Sequence, residues 1–115
     1  VNRHLCESPD FTEKMKRFLG DDFRLVFDVK QAVRAGYNPL DFAERFKNDI
    51  VHIHISDHTK NADCLPPGKG NFDFARLIGI MNSAGYNGDY IIELYRENFG
   101  DENDLKQSLL YMQNL

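Results

Sequence analysis

The sequence predicts an α/β fold of parallel strand–helix units, and three observations lead to it. Runs of β-branched and aromatic residues alternate with stretches of helical periodicity along the whole chain. The intervals between the strands are long enough to hold helices, which is the length of a crossover connection and makes neighbouring strands parallel. Each of three strands also closes on a residue that carries chemistry: Asp28, His54 and Glu93. The expected order is helix, strand, helix, strand, helix, strand, helix.

Each element has a local cause. Ser8-Pro9-Asp10 supplies a capping hydroxyl, a proline at the first helical position and an early acid. Phe11, Met15, Phe18 and Leu19 then share one helical face, and Gly20 closes the helix. Arg24-Leu25-Val26-Phe27 is a buried strand that ends at Asp28. Asn38-Pro39 opens the second helix, with Leu40, Ala43, Phe46 and Lys47 along one side. The next strand runs from Ile50 to Ile55 and passes into the polar cluster Ser56-Asp57-His58-Thr59-Lys60. Residues 61–70 hold Pro66, Pro67, Gly68 and Gly70 and form a loop.

Asp73 caps a third helix bearing Phe74, Leu77, Ile78 and Met81, which Gly85 stops. Asp89-Tyr90-Ile91-Ile92 is the third strand, with Glu93 at its end. Asp101 begins a last helix whose apolar side is Leu105, Leu109 and Met112. Ala35-Gly36-Tyr37-Asn38 recurs as Ala84-Gly85-Tyr86-Asn87, but one copy leads into a helix and the other into a strand, so it reads as coincidence.

Composition bounds the function. The 115 residues make one segment of at most one domain, and 42% hydrophobic with 28% charged residues is a globular balance rather than a disordered one. The net charge of −4 and the lack of a basic stripe interleaved with aromatics argue against nucleic acid as the main partner. No apolar run reaches the length of a membrane span. Cys6 and Cys64 have no metal or redox spacing, which fits free thiols in a reducing cytoplasm. Val1 is not a methionine, and Val1-Asn2-Arg3-His4-Leu5 looks like the end of a strand already under way, so the chain reads as a piece of something longer.

In a parallel sheet all strand C-termini lie on one side. Asp28, His54 and Glu93 therefore meet at one mouth, and two carboxylates with an imidazole are a divalent-metal ligand set. Taken singly, either acid at a strand end is more often a loop cap. His52 faces the same way as His54, one pleat deeper.

Three stretches resemble the sugar phosphate isomerase and epimerase superfamily, the xylose isomerase-like TIM barrels. Leu25-Val26-Phe27-Asp28 is similar to the family's strand ending in a ligating aspartate, and Val51-His52-Ile53-His54-Ile55-Ser56-Asp57 to its hydrophobic-His-x-x-Asp strand. The third covers Pro67-Gly68-Lys69-Gly70-Asn71-Phe72-Asp73-Phe74, Ala84-Gly85-Tyr86-Asn87-Gly88 and Ile91-Ile92-Glu93. It resembles the family's Gly-x-Gly loop, helix, turn and final strand with its glutamate.

The resemblance implies that residues 1–115 are the C-terminal half of a (β/α)8 barrel whose fourth metal ligand, a glutamate, lies upstream of Val1, so the segment alone is expected to bind metal weakly or not at all and to be inactive. It implies a divalent ion (manganese, cobalt, zinc or magnesium) held by Asp28, His54 and Glu93, with Glu93 also catalytic. The implied reaction is isomerisation or epimerisation of a sugar, sugar phosphate or related polyol, by proton transfer through a metal-stabilised enediolate. Gln31 stands where many members have a substrate-side histidine, and Lys60 where epimerase-like members carry a cation. Arg96 is placed either to meet an anionic group on the substrate or to lie exposed. Asp57 is expected to orient His54 or to cap its own loop, and His52 to support the site from below.

A cyclitol dehydratase or an endonuclease IV-like phosphodiesterase on the same fold is the alternative, although Gln31 and the acidic balance count against the nuclease. From a different class, the segment is an inert half-barrel that only self-associates. Its uncovered face and open edges predict a homo-oligomer or swapped assembly of fragments.

Overall fold

A computed structural model describes residues 8–115. The expectations for Asn2, Arg3, His4 and Cys6 lie outside the described residues. Helix α1 spans Pro9–Leu19 and is followed by a 3₁₀ turn at Gly20–Asp22. Strand β1 (Leu25–Asp28), helices α2 (Val29–Ala35) and α3 (Pro39–Phe46) and strand β2 (Ile50–Ile55) come next. Then follow α4 (Phe74–Ser83), β3 (Tyr90–Ile92), a 3₁₀ turn at Arg96–Asn98 and α5 (Glu102–Gln113). The three strands form one parallel sheet in the order β1-β2-β3.

Caps form where the sequence places them, because each needs only a side-chain oxygen within three residues of a free N–H. Ser8 takes the Phe11 N–H at 2.9 Å, Asn38 those of Leu40 and Asp41, Asp73 that of Arg76, and Asp101 those of Asn103 and Asp104. The expected element order lacked α2, which lies between β1 and the helix opened by Asn38. This helix is only seven residues long and begins directly at Asp28, whose carboxylate caps it by accepting from Gln31 N. Gly36 ends it at φ +89°, a left-handed conformation that glycine adopts without steric cost.

The repeated Ala-Gly-Tyr-Asn is therefore more than coincidence, since both copies stop a helix. Tyr37 N bonds Ala32 O and Tyr86 N bonds Met81 O, the same closing hydrogen bond in each.

The core lies between the sheet and helices α3 and α4. Phe27, Ile53 and Ile55 point into it from the strands and meet Phe42, Ala43, Phe46, Phe74, Leu77, Ile80 and Met81. Phe42 stacks on Phe27 at 5.5 Å and tilts against Phe46 at 4.8 Å. Burial of each such side chain contributes about 1.5–3 kcal/mol relative to exposure.

Two helix faces differ from expectation. Phe18 is 84% exposed and Leu19 is also open, while Thr12 is the buried residue of α1. On α5 the buried residue is Ser108 and Leu109 is exposed, although Met112 packs on the core. Among the described residues no element covers these faces, so periodicity alone gave a face without an occupant.

The opposite side of the sheet is open. Val26 pairs with His52, Asp28 with His54, and His54 with Ile91, so these residues share one face. Val26 is 58% and Ile91 44% exposed, which leaves the histidines accessible from that side.

Candidate metal centre

The sheet register builds the cluster. Asp28 closes β1, and its register partner on β2 is His54. Ile91 on β3 pairs with His54, and Glu93, two residues on, faces the same side one pleat higher. The Glu93 N–H is fixed to Ile55 O at 3.0 Å, which holds the strand end in line. His54 Nδ1 stands 2.6 Å from Glu93 Oε2 and 3.8 Å from Asp28 Oδ2.

One donor atom from each residue lies within 4.8 Å of the others. Donors of one ion at about 2.1 Å stand about 3 to 4.2 Å apart, so the widest pair would close slightly and the His54–Glu93 pair at 2.6 Å would open to admit an ion. Asp28 serves two ends at once: Oδ1 accepts the Gln31 N–H at 3.1 Å while Oδ2 faces His54. The cap and the ligand are thus two oxygens of one carboxylate.

Electrostatics favour a cation here. Burial raises the Asp28 pKa above the ordinary aspartate value, and the nearby Glu93 charge raises it further. The Gln31 N–H and the charges of Lys30 and His54 pull the other way without cancelling the rise. Two carboxylates and an imidazole around one point suit a divalent ion of borderline hardness.

The other candidates are placed variously. His52 meets His54 edge-on, ring centroids 4.8 Å apart, directly below the cluster. Asp57 is 1% exposed, and both of its oxygens are engaged by the loop that follows it. Of its two expected roles, the geometry fits the cap of its own loop, and the carboxylate is bound to backbone N–H groups instead of His54. Gln31 sits in the first turn of α2, beside Asp28. Lys60 lines an open cleft of about 490 Å³ with Arg34, Thr59, Asn61 and Asp63.

The Arg96 guanidinium donates to Phe99 O and Gly100 O and lies over the Phe99 ring, so it holds its own loop. His58 packs its ring on Phe72 at 5.2 Å. Sequence reasoning missed Lys30, Arg34, Asp63 and Tyr95, which gather beside the cluster. Their signal is faint: Lys30 lies two residues past Asp28 and Tyr95 two past Glu93.

Comparison with known proteins bears out the resemblance read from the sequence. The family model described as xylose isomerase-like TIM barrel matches residues 2–115. An uncharacterised protein of Methanocaldococcus jannaschii is 32% identical over 89 residues, covering 74% of this chain and 29% of that protein. Inosose dehydratase of Lacticaseibacillus casei is 29% identical over 91 residues, 64% of this chain and 30% of the enzyme. A crystal structure of a D-tagatose 3-epimerase-like protein superposes with a TM-score of 0.68 at 26% identity, covering 90% of this chain and 39% of that one. The chain thus spans about a third of the length of these relatives. Its parallel strand–helix units are a half-barrel of that fold.

Proposed function

The chain belongs to the xylose isomerase-like TIM barrel family, and on that premise we propose that the protein carrying it is a metal-dependent isomerase or epimerase of a sugar or related polyol. The observation that supports this most is the approach of Asp28 Oδ2, His54 Nδ1 and Glu93 Oε2 at the C-terminal ends of three parallel strands. In this reading Asp28, His54 and Glu93 hold a divalent ion. Bound there, the ion supplies Lewis acidity to the carbonyl oxygen of the substrate.

The chain's own residues do the rest. Glu93 is the most exposed of the three, with 45% of its side chain open, so a substrate entering over the strand ends meets it first. A carboxylate fixed next to the carbonyl can take the proton from the neighbouring carbon and return it. Asp28 stays held by its cap to α2, which fixes one of its oxygens and leaves the other to the cluster. Gln31 offers a hydrogen bond to a substrate hydroxyl, and Lys60 a charge at the cleft beside it.

A second reading is supported by the inosose dehydratase relative. Proton removal next to a carbonyl also begins the loss of water from a cyclitol ketone, so the same residues serve either outcome. The protein carrying this chain, incubated in deuterium oxide with magnesium or manganese and either a ketohexose or an inosose, separates the two. Epimerisation places deuterium on the carbon next to the carbonyl and inverts it. Dehydration appears as loss of water by mass. Absence of both exchange and water loss across the panel would sink the proton-transfer reading.

A further inference from the structure

Tyr95 stands two residues past Glu93, and its ring is held by the helix that follows β1. Lys30 Nζ lies 4.4 Å from the ring centroid, and the centre of the Arg34 guanidinium 5.4 Å from it. Both cations belong to α2, one turn apart on the same side of that helix. The Arg34 guanidinium also donates to the Tyr95 hydroxyl at 3.4 Å. Because β2 lies between β1 and β3, this contact spans the end of the middle strand.

The two cations are themselves fixed. Arg34 grips Asp63 through two bonds, Nε donating to Oδ2 at 2.6 Å and Nη2 to Oδ1 at 3.2 Å, a paired geometry that sets the plane of the guanidinium. The same bonds raise the Arg34 pKa and hold the Asp63 carboxyl below the usual carboxylate range. Lys30 is 3% exposed, and the Asp28 and Asp63 carboxyls both feel its charge. Burial thus leaves it with two acidic neighbours as well as the ring face. Three segments meet at Arg34: its own helix, the loop after β2 through Asp63, and the segment after β3 through Tyr95.

Glu93 needs such a tie. β3 is three residues long, and at its end the backbone is joined to β2 by Glu93 N donating to Ile55 O at 3.0 Å. Beyond Tyr95 the hydrogen bonds among the described residues are local: Asn98 N to Tyr95 O, Arg96 to Phe99 O and Gly100 O, and Gly100 N to Asp104. Asp28 and Glu93 end strands that are not neighbours, so no ladder bond sets the distance between them. Helix α2 links them more directly, because Asp28 caps its first turn while its two cations hold Tyr95.

We propose that Tyr95, clamped by Lys30 and Arg34, is a positioning residue that braces the segment after β3 on α2 and so sets where the Glu93 carboxylate stands relative to Asp28 and His54. Arg34 acts through Tyr95, and Asp63 through Arg34. The ring face carries the hold, since the hydroxyl bond is long at 3.4 Å. For its effect on metal binding and proton transfer this rests on the function proposed above; the brace itself does not.

Amide hydrogen exchange of the metal-free protein carrying this chain, read by mass spectrometry over residues 93–98, tests the brace. Tyr95→Leu and Arg34→Met should each speed exchange there about tenfold and leave α4 unchanged. Tyr95→Phe keeps the ring and should stay within about twofold of the parent. The positioning role is read from Mn²⁺ affinity, followed by the free-ion electron paramagnetic resonance signal. Tyr95→Leu should weaken it about tenfold, and Tyr95→Phe should restore it. Turnover should fall about tenfold with KM within about twofold, because a displaced base slows the reaction more than it weakens binding.

Parent-like exchange over residues 93–98 in both Tyr95→Leu and Arg34→Met overturns the brace. Faster exchange there with Mn²⁺ affinity and turnover both unchanged overturns the positioning role. If Tyr95→Leu also loosens α4, Arg34→Met decides alone, since its side chain is 35% exposed and its loss leaves the core intact. A parent that takes up no Mn²⁺ and exchanges no substrate deuterium sinks the function proposed above, and the amide exchange then decides the brace by itself.

Discussion

Asp57→Asn is expected to cost about 3 kcal/mol of folding stability, an unusually large effect for a change of one atom. Asp57 Oδ1 accepts from His58 N at 2.8 Å and Phe72 N at 3.0 Å, while Oδ2 accepts from Gly68 N and Gly70 N, both at 2.9 Å. Its backbone adds an antiparallel bridge to Leu65. An asparagine must turn its amide N–H groups toward two of these backbone donors, leaving both without an acceptor inside the protein. Each lost charge-assisted bond is worth about 1.5–3 kcal/mol.

The glycine at 70 belongs to the same device, because a Cβ there would fall 2.5 Å from Asp57 Oδ1 and against the His58 carbonyl. The consequence reaches the cleft, since the loop that Asp57 organises carries Lys60 and Asp63. Urea denaturation of the purified variant measures the effect. A loss below about 1 kcal/mol would mean that water replaces these bonds freely and that the loop is not organised from Asp57.

Glu93→Gln should lower turnover of the protein carrying this chain by about a thousandfold while leaving it folded. A positioned general base contributes about 10²–10⁴ in rate, and the amide can neither take the proton nor bind a divalent ion with the same strength. The side chain is half open, and the backbone bond from Glu93 N to Ile55 O does not depend on it. Stability should therefore shift by no more than about 0.5 kcal/mol. Unchanged turnover in a folded variant would remove Glu93 from the chemistry.

What the sequence made legible is what local rules decide. Four helix caps followed from a side-chain oxygen next to free N–H groups, and the convergence of Asp28, His54 and Glu93 followed from strand periodicity and parallel order. Helix α2 was hidden because Asp28 looked like a strand terminus, and a seven-residue helix carries too few turns for a periodic signal. Phe42 and Ile80 were missed as core because their burial is set by the packing of α3 on α4 and on the sheet.

Contacts over longer separations were less accessible still. The Asp57 carboxylate reaches donors 11 to 15 residues away, which no spacing rule in one loop anticipates. Arg34 and Tyr95 are 61 residues apart and meet only because β3 leads back over the strand ends. The apolar faces of α1 and α5 show the converse: a helical pattern says which side is apolar and nothing about what covers it.

The proposed chemistry depends on the affinity of one small cluster, Asp28, His54 and Glu93, for a divalent ion. Titration of the protein carrying this chain with Mn²⁺, followed by the loss of the free-ion electron paramagnetic resonance signal, measures it directly. The prediction is one saturable ion per chain, weakened about tenfold or more by each of Asp28→Asn, His54→Ala and Glu93→Gln. Uptake that is absent, or that all three variants share unchanged with the parent, would contradict it.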